Sequence, residues 1–129
     1  LPNREAMDVD ALAKLLQTIR QPAIIIASGG TVNTVDFDNF RAIGALKEQH
    51  NFWLHVDAAF GGFAAASPKF AHLMHGIEHA DSITIDAHKW LNTPYDGAVA
   101  IVAHPEAHTR ARFRSAGRQP ADLRPRTPA

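Results

Sequence analysis

The chain has 129 residues, the size of one ordinary domain, and its 46% hydrophobic and 20% charged residues are typical of a globular protein. It has no cysteine, which excludes a disulfide framework and a thiolate metal site. No apolar run approaches the length of a membrane span, so we expect a cytoplasmic protein without a membrane partner. The net charge is zero, but residues 1–103 hold 7 basic and 11 acidic residues, whereas residues 104–129 hold 6 arginines and 2 acids.

The first predicted elements are a helix and a strand. Apolar residues recur at helical spacing before Pro22, which closes the segment. These residues are Leu12, Leu15, Leu16 and Ile19. The run AIIIAS at residues 23–28 is continuously apolar, as in a parallel strand that is buried on both faces. GGTVNT is then a loop by its glycines and asparagine, and Asp38 is placed to cap a helix through NFRAIGALKEQH.

The second half of the chain continues this alternation. Three further strands are predicted for FWLHVDA, SITIDA and GAVAIVA, at residues 52–58, 82–87 and 97–103. Between the first two, FAHLMHGIEHA predicts a helix or part of one. Strands that alternate with helices predict an α/β fold, with a mostly parallel sheet, flanking helices and right-handed crossovers.

Polar residues follow the predicted strands where such sheets bind ligands, outside the carboxyl ends of the strands. Asp57 and Lys89 each close one of two neighbouring strands, so their side chains are expected to lie across one small ligand. A desolvated lysine loses part of its preference for the charged form and can attack a carbonyl. A buried carboxylate needs a cationic partner, and a protonated ring nitrogen of a cofactor is one. The alternative for Asp57 and Lys89 is a plain salt bridge.

Three segments carry a resemblance to a known family. WLHVDAAFGG, ADSITIDAHKWLNTPYDG and ASGGTVNTVDFD resemble the group II pyridoxal-phosphate-dependent decarboxylases, which act on glutamate and aromatic amino acids. The resemblance runs from about Ile24 to about Pro105. It implies the large domain of a fold-type I enzyme, with pyridoxal 5'-phosphate as cofactor and an amino acid as substrate. It also implies decarboxylation by the full-length parent, acting as a homodimer.

The same resemblance implies roles for individual residues. Lys89 would bind the cofactor aldehyde covalently, and Asp57 would hold the pyridine nitrogen protonated. Ala59 would pack against the cofactor ring. His88 would lie beside the cofactor as a second catalytic residue. The remaining assignments are a supporting role for Asp86, a weaker contact from Thr31, and packing by Trp90 and Tyr95.

The sequence also departs from the family pattern. Val35 stands where the family usually has a glycine, and a β-branched residue disfavours positive φ, so we expect this loop to differ or to be strained. The chain begins after the family's phosphate-binding loop and ring-stacking histidine. We therefore expect residues 1–103 to be a partial cofactor-binding large domain, inactive by itself. Residues 104–129 are expected to be a helix start and an arginine- and proline-rich tail, disordered or aberrant and without a nucleic-acid partner.

Alternative functions remain open at this point. An aminotransferase-like enzyme uses the same lysine and aspartate, and an inactive fragment or pseudoenzyme uses neither. A metallohydrolase would use His55, Asp57, Asp86 and His88 as metal ligands, although Lys89 has no role in that scheme. The spacing of His72, His75 and His79 places them on one helical face, where surface histidines are expected more often than a metal site.

Overall fold

The structure of the chain, a computed structural model, describes residues 3–115. Within them lie four α-helices, α1 (Val9–Thr18), α2 (Phe40–Leu46), α3 (Ala87–Trp90) and α4 (Pro105–Ser115). Four strands accompany them, β1 (Ala23–Ser28), β2 (Phe52–Asp57), β3 (Ser82–Asp86) and β4 (Ala98–Val102). Three short 3₁₀ helices, Gly62–Ala66, Ala71–Met74 and Ile77–His79, connect β2 to β3. The predicted tail after residue 115 lies outside the described residues.

The four strands form one sheet in the order β1-β2-β3-β4. The pairs β1–β2 and β2–β3 are parallel, and β3–β4 is antiparallel. This confirms the predicted α/β class with a mostly parallel sheet. In the parallel register Ser28 lies beside Asp57, and Asp57 lies beside Thr84. The carboxyl ends of β1, β2 and β3 therefore meet at one edge of the sheet.

The hydrophobic core lies on one face of this sheet. Leu54 and Val56 of β2 are fully buried there, against Phe40 and Ile43 of α2. Leu12 and Leu16 of α1 join the same cluster. Burying a side chain of this size contributes about 1.5–3 kcal/mol, so these contacts dominate the stability of the chain. The predicted helical stripe is confirmed for Leu12 and Leu16.

The opposite face of β1 is exposed, which corrects one prediction. Ile24 is 69% exposed and Ile26 is 62% exposed. Successive side chains of a strand point to opposite faces, so both isoleucines leave the core side. Their exposure shows that this part of the second face is uncovered within residues 3–115. The prediction that β1 is buried on both faces is therefore wrong for the described part of the chain.

The start of α2 also differs from the prediction. Asn39, not Asp38, is the N-cap, and its side chain accepts a hydrogen bond from the Ala42 backbone N–H. Asp38 is buried and accepts hydrogen bonds from the backbone N–H groups of Met7 at 2.6 Å and Ser28 at 2.7 Å. Asp38 therefore ties the segment before α1 to the end of β1.

The segment at residues 70–80 forms no continuous helix. Two 3₁₀ helices occupy it, and Gly76 separates them with φ of 96°. A Cβ at Gly76 would lie 2.3 Å from the Arg41 backbone nitrogen, so only glycine fits this close approach. The three histidines of the segment are exposed and do not share one helical face.

A buried acid anchors the amino-terminal ends of the central strands. Asp81 accepts hydrogen bonds from the Leu54 backbone N–H at 2.7 Å and from His104 at 3.2 Å, and it forms an ion pair with Lys47. Burial alone would raise the pKa of Asp81, but the hydrogen bonds from Lys47 and Leu54 lower it below its usual range. Asp81 thereby joins α2, β2 and the start of α4.

The loop after β1 carries backbone strain at Val35. Its φ is 55°, the left-handed region that β-branched residues rarely adopt, so the expected strain is present. Val35 is 62% exposed, and the nearby Val32 is 64% exposed. Val32 has no positive φ. The two valines thus differ in backbone conformation but hardly in exposure.

We predict that Val35→Gly raises the free energy of unfolding by about 1 kcal/mol, because strain of about 1–3 kcal/mol is relieved while glycine adds about 0.5–1 kcal/mol of entropy cost. The matched control Val32→Gly relieves no strain and should destabilise the chain or leave it unchanged. Urea denaturation measures both. A midpoint for Val35→Gly at or below that of Val32→Gly would contradict the assignment of strain.

Candidate functional site

A cavity of about 340 Å³ opens at the carboxyl ends of β1 and β2. Four of the predicted site residues line it, namely Thr31, Asp57, Ala59 and Lys89. The other lining residues are Glu5, Ser28, Gly30, Val32 and Phe60. His88 and Asp86 do not line this cavity but adjoin it through Lys89. The strand-end prediction therefore brings together most of the residues it named.

Asp57 owes its position to the pairing of β2. It is the last residue of this strand, and its carbonyl oxygen accepts a hydrogen bond from the Gly29 N–H at 2.7 Å. Its carboxylate Oδ1 accepts one from the Ala59 N–H at 3.1 Å. Within residues 3–115 this carboxylate forms no ion pair, and the residue is exposed. Asp57 therefore presents acceptor sites to the cavity.

The loops after β1 and β2 lie in close contact and form one wall of the cavity. The Gly61 N–H donates a hydrogen bond of 2.8 Å to the Gly29 carbonyl oxygen. A Cβ at Gly61 would lie 2.3 Å from that oxygen, so the contact requires glycine. This close approach positions Ala59 and Phe60, which lie between the end of β2 and Gly61.

Lys89 reaches the cavity from α3, the single helical turn that follows β3. Its Nζ lies 2.8 Å from Asp86 Oδ2 and 3.9 Å from the centroid of the Phe60 ring. The lysine side chain is 28% exposed. The hydrogen bond from Lys89 holds the pKa of Asp86 below its usual range, although burial opposes this shift. The amine is thus held between a carboxylate and an aromatic face.

His88 points to the turn before β4. Its Nδ1 lies 3.1 Å from the Gly97 carbonyl oxygen, and its ring centroid lies 4.8 Å from that of Tyr95. Its Nε2 is 3.8 Å from Asp86 Oδ2. Asp86 is therefore closer to Lys89 than to His88. Tyr95 packs on His88 but is 84% exposed.

A polar cluster holds the loop that carries Thr31. Asp36 accepts hydrogen bonds from Thr34 Oγ1 at 2.7 Å, from the Glu5 backbone N–H at 2.9 Å and from Arg4 Nε at 2.9 Å. Together these bonds lower the pKa of Asp36 from 3.8 to about 2. Thr31 Oγ1 accepts a hydrogen bond from the Asp36 backbone N–H at 3.0 Å. The segment before α1 thus positions the loop that lines the cavity.

Two of the lining residues illustrate what the sequence did not reveal. Phe60 lies two residues after the predicted strand end, and an aromatic residue so close to that end was the available signal. Glu5 lies far from the other site residues in sequence. Its carboxylate accepts hydrogen bonds from Asn33 Nδ2 at 3.1 Å and from the Thr34 backbone N–H at 3.4 Å. These tertiary contacts have no counterpart in a sequence pattern.

The residues proposed for a metallohydrolase are not assembled into a metal site. His55 Nδ1 lies 2.8 Å from Ser82 Oγ, its partner in the neighbouring strand. In the described part of the chain, no three or more His, Cys, Asp or Glu side chains come together so that they could hold a metal ion. That alternative therefore lacks its ligand set.

Among residues 3–115, no helix has the length and apolar character needed to cross a membrane.

Comparison with known proteins places the chain in a family. The family model described as the pyridoxal-dependent decarboxylase conserved domain matches residues 1–113. The chain belongs to this family. Membership confirms the resemblance drawn from the HVDA and DAHKW segments, and it agrees with the position of Asp57 and Lys89 in one cavity.

Individual relatives agree with this membership. The aromatic-L-amino-acid decarboxylase of Cavia porcellus is 40% identical over 93 residues, which are 72% of this chain and 18% of that protein. The phenylacetaldehyde synthase of Petunia hybrida is 35% identical over 108 residues, 84% of this chain and 20% of that protein. The chain thus spans about a fifth of the length of these relatives.

A solved decarboxylase structure has the same fold as the matched part of this chain. The tryptophan decarboxylase of Catharanthus roseus in complex with L-tryptophan superimposes with a TM-score of 0.76 at 29% identity. The match covers 82% of this chain and 24% of that structure. The sheet and its helices therefore correspond to part of a fold-type I decarboxylase.

We predict that the polar cluster stabilises the chain in a pH-dependent manner. The pKa of Asp36 is lowered from its ordinary value of 3.8 to about 2 in the folded chain, so its contribution is present above pH 4 and is lost as the pH falls towards 2. Asp36→Asn should therefore be less stable than the wild type at neutral pH, and the difference should shrink between about pH 4 and pH 2. Urea denaturation at several pH values measures it. A difference that does not vary with pH would contradict the prediction.

Proposed function

We propose that the chain supplies the pyridoxal-phosphate-binding part of an amino acid decarboxylase. The observation that carries this proposal is the cavity at the carboxyl edge of the sheet, which Asp57, Ala59 and Lys89 line together. Membership of the pyridoxal-dependent decarboxylase family supports it. The activity, substrate and subunit arrangement of the whole protein form part of the same proposal.

The residues present fit the cofactor in chemistry and in size. Pyridoxal phosphate offers a basic ring nitrogen and an aldehyde, and the cavity presents the Asp57 carboxylate and the Lys89 amine to match them. Glu5 also lines the cavity, but its carboxylate is hydrogen-bonded to Asn33. Asp57 has acceptor sites available, since only its Oδ1 accepts a hydrogen bond within the described residues. Ala59 adds a small methyl group to the wall, where a flat ring needs space. Thr31 lines the same cavity.

The roles of the chain's own residues follow from their positions. When bound, the cofactor supplies an electron sink for the charge left on the substrate α-carbon as carbon dioxide departs. Asp57 would keep the ring nitrogen protonated through a charge-assisted hydrogen bond. Lys89 would hold the aldehyde covalently and, once released by the substrate amine, would carry a proton at Nζ. His88, fixed by Gly97 and Tyr95, would lie beside Lys89.

The substrate we propose is an amino acid. The relative from Cavia porcellus is named for aromatic amino acids, and the Catharanthus roseus structure is a tryptophan decarboxylase in complex with L-tryptophan. The proposal also includes a homodimeric parent, a cytoplasmic location and a place in amino acid metabolism. We further propose that the chain alone does not decarboxylate, because Asp57 is exposed in it and this chemistry requires a site from which water is excluded.

We predict that pyridoxal phosphate followed by borohydride labels Lys89 selectively. Peptide mass mapping distinguishes it from Lys14, Lys47 and Lys69, which lie outside the cavity. Equal labelling of all four lysines would contradict the proposal, because it would show that no pocket directs the cofactor.

We also predict that Asp57→Asn weakens binding of pyridoxal phosphate about ten- to hundredfold, the value of one hydrogen bond to a charged group. The change keeps the size of the side chain and removes only its charge. Titration followed by absorbance measures the affinity. Asp10→Asn, at an exposed position on α1, is the matched control and should bind like the wild type. Equal affinity of the Asp57 variant and the control would remove Asp57 from the site.

A further inference from the structure

The reactive atom of the site is held by two neighbours from the chain itself. Lys89 Nζ donates to Asp86 Oδ2 at 2.8 Å and lies 3.9 Å above the Phe60 ring. A carboxylate and the face of an aromatic ring each attract a positively charged group, so the two contacts hold the side chain in place. An ammonium has no lone pair with which to attack a carbonyl.

The two contacts come from different elements. Asp86 ends β3 and lies one helical turn before Lys89, so the helical turn of α3 brings the two side chains together. Phe60 follows β2 and is placed by the close approach of Gly61 to Gly29. Asp86 makes no capping hydrogen bond at the start of α3. The described polar contacts of its carboxylate are therefore those to Lys89 and, more distantly, His88.

We propose that Asp86 and Phe60 form a latch that holds the Lys89 amine and slows its reaction with an aldehyde. This inference rests on the proposed function, and it concerns how the same site takes up its cofactor. Both latch residues are positioning residues, because they act through Lys89. Uptake requires the amine to leave both partners before its nitrogen can form a bond.

The Asp86 carboxylate is suited to binding the protonated Lys89 amine and not to removing a proton from it. Its pKa lies below the usual range because of the hydrogen bond from Lys89, so it is a weak base near neutral pH. It therefore keeps its negative charge while the lysine is in place. The proton of Nζ must go to solvent as the amine is released. Removing the carboxylate should accordingly speed the reaction of Lys89.

The chain contains a matched lysine without the carboxylate. Lys69 Nζ lies 5.0 Å from the centroid of the Phe70 ring, and no ion pair joins it to an acid within the described residues. Lys14 is exposed, so its reaction rate serves as a control for the reagent concentration. Lys47 is paired with Asp81, so its rate reports any loss of the fold.

The test compares Asp86→Asn with the wild type in reductive methylation by formaldehyde and cyanoborohydride. In this reaction Nζ loses a proton, its lone pair bonds to the aldehyde carbon, water leaves, and hydride from the reagent reduces the carbon–nitrogen double bond. We expect Lys89 to react about two- to fivefold faster in Asp86→Asn, with Lys14, Lys47 and Lys69 unchanged. High salt should speed Lys89 in the wild type and not in the variant.

The role of Phe60 in the latch is tested with two substitutions at this position. Phe60→Leu removes the aromatic face and should speed Lys89 about two- to threefold, whereas Phe60→Tyr keeps that face and should react like the wild type. A change that merely loosened the fold would also speed Lys47. If the Lys89 rate is unchanged or slower in Asp86→Asn, and does not respond to salt in the wild type, the latch is refuted.

Repeating the comparison with pyridoxal phosphate separates the two proposals. If Lys89 accelerates with formaldehyde but shows no preference for pyridoxal phosphate over the other lysines, the latch stands and the proposed function fails. If pyridoxal phosphate labels Lys89 selectively at the same rate in both proteins, and the formaldehyde rates also agree, the latch fails and the proposed function stands.

Discussion

The parallel pairing of β1, β2 and β3 is the interaction on which the fold and the site both depend. It places Ser28, Asp57 and Thr84 side by side and brings three strand ends to one edge. A slip of one residue would turn Asp57 towards the core and Val56 towards the cavity side. The burial of Leu54 and Val56 therefore also fixes the direction of Asp57. Alternate residues of one strand stabilise the sheet and build the site.

The two faces of the sheet thus have different functions. One face carries the core, whereas the other carries Asp57 and the exposed isoleucines of β1. The loops that follow β1 and β2 lie close together, because neither Gly61 nor Gly29 has a side chain to separate them. Strain at Val35 and the polar cluster around Asp36 lie in the same loop region. Hydrogen bonds from Arg4 and Glu5 to Asp36 tie this loop to the segment before α1.

Much of this arrangement is predictable from the sequence. Short apolar runs predicted the four strands within one or two residues, and the meeting of strand ends at one edge predicted that Asp57 and Lys89 converge. Other features depend on tertiary contacts. Asp38 and Asn39 both have capping chemistry, and only the contact of Asp38 with Met7 decides between them. Asp86 pairs with Lys89 because α3 makes a helical turn directly after β3. The sequence pattern predicted only the end of the strand and not this turn.

The proposed cofactor site requires Asp57 to meet the ring nitrogen of pyridoxal phosphate while Lys89 meets its aldehyde. A nuclear magnetic resonance spectrum of cofactor isotope-labelled at the ring nitrogen and bound to the chain tests this contact. We expect a protonated nitrogen in the wild type at neutral pH and an unprotonated one in Asp57→Asn. The same nitrogen signal in both proteins, or no signal from bound cofactor in the wild type, would contradict it.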